Sequence, residues 1–268
     1  MKREPAVAGY FYEESPLRLR AQLSELISPA AKKIYAKGII VPHAGYMYSG
    51  WVAGKVYGKI VPPDIAIIIG PNHTGMGDYA SVFLGEAFIM PMGEVKIAQK
   101  LGKELVGLVP FLSTNPLAHA HEHSIEVQIP FLQFINPKIE ILPICLLYLS
   151  RKEIKELGEA IGEVISRYPD KKILIVGSTD FSHYVPQEVA KEKDFLAIEK
   201  ITNLDEEGLL DVVSEYKISM CGTIPVAVTI VACKKLGATK GELIDYMTSG
   251  DIIKDYASVV GYGGIVIY

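Results

Sequence analysis

Residues 64–75 read DIAIIIGPNHTG. From Ile65 to Ile69 every side chain is apolar, so the run leaves no polar face for solvent and fits a strand buried on both sides, as in a parallel sheet. The turn-forming GPNHTG that follows puts a histidine, His73, just beyond the strand end. Two other stretches share this layout. KGIIVP at 37–42 leads into His43, and KKILIVG at 171–177 leads into GSTDFSHY, which contains Asp180 and His183.

Helical patterns separate these runs. Ser15 caps a helix to Ile27 with Pro16 at its first position and Leu19, Leu23, Leu26 and Ile27 on one face. Ser49 is read as the cap of a second helix through Ile60. Ser150 and Glu153 form a capping box for a helix to about Tyr168. Further helices are expected over 93–107, 122–134, 187–202, 205–216 and 224–236. Further strands are expected in YASVFLG and KIEILPICLLY, with a late β pair at 241–249 and 256–268. Strand and helix alternate over the whole length without a linker, low-complexity tract or repeat. The expected fold is therefore one α/β domain over residues 1–268, with a central, mixed, mostly parallel sheet and helices on both faces.

Composition narrows the function classes. With 49% hydrophobic and 22% charged residues the chain folds rather than staying disordered. Its 27 Lys and Arg against 31 Asp and Glu give a net charge of −4, without a block of one sign, so no nucleic-acid or anionic-membrane partner is expected. No apolar run reaches membrane-spanning length, and MKREPAVAGYFYEES carries charge and proline where a signal peptide needs an apolar stretch. Three cysteines form no disulfide framework, which points to a reducing cytoplasm.

In open α/β sheets ligands gather at the carboxyl ends of the strands, where His43, His73 and His183 all fall. One histidine after a strand is an ordinary hydrogen-bonded loop residue; three at three strand ends suggest a site. The other three histidines lie in AHAHEHSIE as His119, His121 and His123, beside Glu122 and Glu126. Such a cluster suits metal ligation or proton transfer, or else a solvent-facing helix start; a helix beginning near Glu122 would put His123 and Glu126 on one face. The spacing is not that of an H-E-x-x-H zinc helix. Asp180, three residues before His183, can orient that imidazole, act as a separate acid or base, or serve as a turn residue.

Cys145 and Cys233 stand in apolar runs. Cys221, in SMCGTIP, precedes Gly222, with Thr223 as expected cap and Pro225 in a first helical turn; a helix N-terminus favours the thiolate, a nucleophile or metal ligand. A small buried residue beside a glycine turn is the alternative. Nucleotide-binding glycine motifs and a G-x-S-x-G elbow are absent.

Taken in order, RxPAVAGYFY (3–12), VPHAGYMYSG, GPNHTG, EHSIEVQIPFLQ, STDFSHY and SMCGTIP resemble the Memo family, known also as protein B of the AmmeMemoRadiSam system. The resemblance implies a fold similar to the LigB-like class III extradiol dioxygenases, whose Fe(II) is held by two histidines and a carboxylate. It implies that His43 and His73 are the histidine ligands, that Cys221 stands in the place of the carboxylate, and that His183 matches the acid/base histidine. A His₂Cys set is softer than a facial triad, so copper or zinc joins Fe(II) as the expected single ion. The resemblance also implies a pathway shared with a radical-SAM protein and an AMMECR-type protein.

Three function classes fit these residues. One is a mononuclear metal-dependent redox enzyme, dioxygenase-like, in which His43, His73 and Cys221 hold the ion, His183 moves a proton, Asp180 supports His183, and His123 places substrate or dioxygen. The second is a metal-dependent hydrolase. The third is a module that binds a small molecule or peptide in the same pocket without turnover.

Overall fold

In the computed structural model, which describes residues 1–28 and 30–268, the three uninterrupted apolar runs lie side by side at the centre of a mixed sheet. In chain order the elements are β1 (Lys2–Arg3), α1 (Pro16–Leu26), β2 (Gly38–Val41), α2 (Tyr46–Lys59), β3 (Ile65–Pro71), β4 (Ala80–Val82), β5 (Ala87–Met90) and β6 (Gly93–Ile97). There follow α3 (Gln99–Leu108), α4 (Leu117–Ala120), a 3₁₀ turn (Glu126–Gln128), α5 (Ile129–Ile135), β7 (Glu140–Leu146), α6 (Arg151–Ser166), β8 (Ile173–Ser178) and β9 (His183–Val185). The chain closes with α7 (Gln187–Thr202), α8 (Glu206–Glu215), α9 (Thr223–Lys235), β10 (Gly241–Thr248), α10 (Ser249–Ile253) and β11 (Val259–Ile267).

The sheet runs β1-β5-β6-β7-β3-β8-β2-β11-β10, with β4 on β7 and β9 on β11. β7, β3, β8 and β2 are mutually parallel, and β10 and β11 form the expected antiparallel pair beside them. Ile67 pairs with Leu142 on one side and Ile175 on the other, all fully buried or nearly so. Burial on both faces is what the apolar runs required. α2 packs on β2, β10 and β11, and α9 on β8, β3 and β2, in helical layers that cover the two faces. Among the described residues no helix is long and apolar enough to cross a membrane. Ser150 and Glu153 form the capping box.

Four local expectations are corrected. Residues 93–97 are strand, because Val95 and Ile97 face inward while Glu94 and Lys96 face water, a period of two; the helix starts only at Gln99. α2 starts at Tyr46 after Gly45, and the Ser49 hydroxyl donates to Ala44 O from inside the helix. α9 is entered from Gly222, not Thr223. Residues 122–125 are loop, so His123 and Glu126 share no helix face.

The Glu126 carboxylate is instead used by the N-terminal strap. It pairs with Arg3 and accepts from the Ala6 and Val7 amides and the Tyr12 hydroxyl, while Arg3 also donates to the His119 and Glu122 carbonyls. Arg3 and Glu126 are 5% and 0% exposed, so neither charge has water to fall back on. His119, from the cluster for which a solvent-facing helix start was one reading, is buried too. Its Nε2–H donates to Ser81 O, and burial, aided by the charge of Arg3, lowers its pKa to about 3.

Two outcomes follow from this clasp. Arg3→Met, which strands the Glu126 charge, should cost about 3–5 kcal/mol in denaturant unfolding, far above the loss from changing an exposed pair such as Lys2–Glu94. The folded-state pKa of His119 is depressed below its ordinary 6.5, so the unfolded chain takes up a proton that the folded one refuses. Stability attributable to His119 is therefore present above pH 6.5 and lost as pH falls, by up to about 1.4 kcal/mol per pH unit. Urea titrations at stepped pH should show a shallower acid limb for His119→Gln than for the wild type.

Candidate metal centre

Because β2, β3 and β8 are parallel, their carboxyl ends open on the same side, and the segments leaving them carry His43, His73 and Asp180. Two close approaches complete the assembly. A Cβ at Gly70 would stand 2.4 Å from Ser124 Oγ, so glycine there lets the 122–125 loop lie against the end of β3. A Cβ at Gly222 would stand 2.4 Å from Ser178 O, so glycine there lets the start of α9 bring Cys221 beside the end of β8.

The result is a cluster in which one ring nitrogen each from His43, His73 and His123 lies within 4.8 Å of the others. The His73 and His123 rings stack at 4.6 Å, and His43 meets both edge-on at 5.1 and 5.5 Å. Cys221 Sγ is 3.2 Å from His43 Nε2. Of the three residues expected as ligands, His43 and His73 fall in this cluster, His123, expected to place substrate, supplies its third nitrogen, and Cys221 touches His43 without belonging to the mutually close set.

Each ligand candidate is held from behind. His73 Nδ1 lies 2.8 Å from Glu122 Oε1, and its amide donates to Oε2 at 2.6 Å. His43 Nδ1 lies 3.0 Å from Ser178 Oγ. Phe11 of the strap packs on His123 at 4.9 Å. Burial pushes the His43 pKa well below 6.5, and the neighbouring His73, His123 and His183 push the same way. Burial likewise lowers His123. Burial alone would raise Glu122, but the hydrogen bond and charge of His73, the Ser124 amide and His123 outweigh it and hold the carboxyl at about 2.

Asp180 differs from its expected role. Its Oδ1 accepts from the His43 amide at 2.8 Å, while His183 Nδ1 donates to Ser219 O, also at 2.8 Å. The carboxylate therefore supports the His43 backbone, and a main-chain carbonyl orients His183. Burial raises Asp180 to about 6, restrained by that amide and by His183 and His73. Cys221 is not the activated thiolate expected of a helix N-terminus. It precedes the helix, and burial with the nearby Asp180 charge pushes it up to about 12.

His183, Asp180 and His123 line a cleft of about 300 Å³ whose other walls include Tyr10, Phe11, Tyr48, Tyr184 and Tyr262. Tyr184 is 78% exposed and holds φ at +58°, a strained conformation for a bulky residue. Sequence reasoning missed the holders of the site. Glu122 and Ser178 were visible only as neighbours of the histidines, and Arg3 meets Glu126 across 123 positions, beyond any local pattern.

Comparison with known proteins identifies the family and the fold. The model of the family described as Memo-like protein matches residues 3–266. A MEMO1 family protein of Methanopyrus kandleri, MK0963, is 40% identical over 280 aligned residues, covering 99% of each chain. A MEMO1 family protein of Aquifex aeolicus is 42% identical over 266 residues, covering 98% of each. A solved structure, the uncharacterized protein JW3007 from Escherichia coli K12, shares the fold with a TM-score of 0.53 and 12% identity, over 84% of this chain and 98% of that one. Matched by the family model from strap to last strand and by relatives along nearly its whole length, the chain belongs to the Memo family.

Proposed function

We propose that this chain is a mononuclear metal-dependent redox enzyme of the dioxygenase type, acting on an organic substrate seated in the cleft. The observation that carries the reading is the convergence of His43, His73 and His123 nitrogens on one point, with Cys221 at its edge, beside a cleft lined by His183 and Asp180. The donor set fits a cation. Burial keeps the His43 imidazole uncharged, which is its ligating form, and imidazole with thiolate suits iron, copper and zinc. His43, His73 and Cys221 would hold one ion, Fe(II) before copper or zinc, with His123 in reach as a further donor. Such an ion would supply Lewis acidity and, if iron or copper, one-electron chemistry.

The remaining work falls to the chain's own side chains. His183 commits its Nδ1–H to Ser219 O, so its basic atom is Nε2, free to take a proton from a substrate group in the cleft. Asp180, whose carboxyl pKa is raised to about 6 by burial, fixes the His43 backbone and lies within the same cleft wall. The aromatic walls give a flat organic molecule something to lie against. The free thiols of Cys145, Cys221 and Cys233 suit a reducing cytoplasm, and a radical-SAM protein and an AMMECR-type protein are the proposed pathway partners.

Anaerobic titration of metal-free protein with Fe(II), Cu and Zn should give one ion per chain, lost in the double variant His43→Ala, His73→Ala; stoichiometric binding that survives it would refute the centre. His183→Ala should keep metal affinity within a few fold while metal-dependent oxygen consumption with an accepted substrate drops by about 10²–10⁴. Release of the metal by that variant would instead make His183 a ligand, and a tight cleft ligand without turnover would favour the binding-module reading.

A further inference from the structure

Behind the two ligand histidines runs a closed set of buried hydrogen bonds whose proton positions follow from chemistry alone. Gln128 Nε2 lies 2.8 Å from Pro42 O, an atom that can only accept, and Gln128 Oε1 takes the Tyr57 hydroxyl at 3.1 Å. The amide nitrogen is thereby identified, and its other hydrogen goes to Ser178 Oγ at 3.0 Å. Ser178 owns a single hydroxyl hydrogen, which goes to Ser124 O at 2.6 Å. With that hydrogen committed, the 3.0 Å contact between Ser178 Oγ and His43 Nδ1 has its proton on the imidazole.

Ser124 runs the second arm as well. Its amide donates to Glu122 Oε1 at 2.8 Å, and its hydroxyl donates to Pro71 O, two residues before His73. The Glu122 carboxylate, already accepting the Ser124 and His73 amides, accepts again from His73 Nδ1 at 2.8 Å. Ser124, Gln128, Tyr57 and Ser178 are all 0% exposed and Glu122 2%, so water does not compete for these partners. One residue thus braces the acceptor behind each histidine, although the two rings follow strands β2 and β3, which are not neighbours in the sheet.

We propose that Ser124 and Ser178 are positioning residues that lock His43 and His73 in the Nδ1–H tautomer, leaving each Nε2 unprotonated before any cation arrives. The value of this for an ion rests on the metal-centre reading above; the tautomers do not. An imidazole free to tautomerise would present a hydrogen to the cluster for part of the time and would have to reorganise on binding. Here the choice is made in the folding of the chain, and it is made for both rings from one node.

Long-range ¹H–¹⁵N correlation on histidine-labelled, metal-free wild-type protein near pH 8 reads this directly. His43 and His73 should both show a protonated Nδ1 and an unprotonated Nε2; a protonated Nε2 on either ring overturns the lock, whatever the variants do. In Ser178→Ala, His43 should move to a mixture or to the Nε2–H form while His73 keeps its pattern, and an unchanged His43 would remove Ser178 from the role. Zn(II) affinity of that variant should fall about 10–100-fold. Wild-type protein that shows both Nδ1–H patterns but binds none of Fe(II), Cu or Zn would refute the metal centre and leave the lock standing.

Discussion

Two carboxylates in the 122–126 loop are buried, and an ionised carboxylate buried without donors is among the costliest things a fold can contain. The loop takes the course that supplies those donors. Glu126 collects a guanidinium, two amides and a phenol from the strap, and Glu122 collects two amides and an imidazole. Meeting these demands drags the strap, the loop and the end of β3 into one place, and His73 and His123 are carried with them. The site thus shares its foundations with a network that satisfies charge in a dry interior.

Much of the architecture was legible because it depends on short-range pattern. Ile65–Ile69 left no polar face and so fitted a strand buried on both sides, as in a parallel sheet, and the same reasoning at Gly38–Val41 and Ile173–Gly177 placed His43, His73 and His183 at one end of it. The Ser150 box needed only three residues of spacing. The failures have an equally physical origin. Residues 93–97 were misread because helix and strand compete in short amphipathic stretches and the two-residue alternation there spans only five positions. Residues 122–125 were misread as helical because the pull of Arg3 on Glu126 is a tertiary force with no local signature.

At the site, ligand types could be read from residue chemistry, whereas their supports could not. Nothing near His43 in the chain announces Ser178, and nothing near Cys221 announces that burial would cancel the pull of a helix N-terminus on its thiol. Asp180 was placed correctly in the fold yet oriented toward a different partner, because three residues of sequence separation from His183 say nothing about which way a carboxylate turns once β8 has ended and the backbone of His43 lies alongside.

The strap closes over residue 126, and Cys221 meets a ring 178 positions earlier in the chain. Chain entropy makes such closures late events, and during synthesis they cannot occur until the distant partner has left the ribosome. A nascent chain that has exposed β2 and β3 already displays His43 and His73, but lacks the carboxylate that turns one of them and the sulfur that meets the other. The donor set is therefore complete only when the second half, which brings Ser178 and Cys221, has emerged.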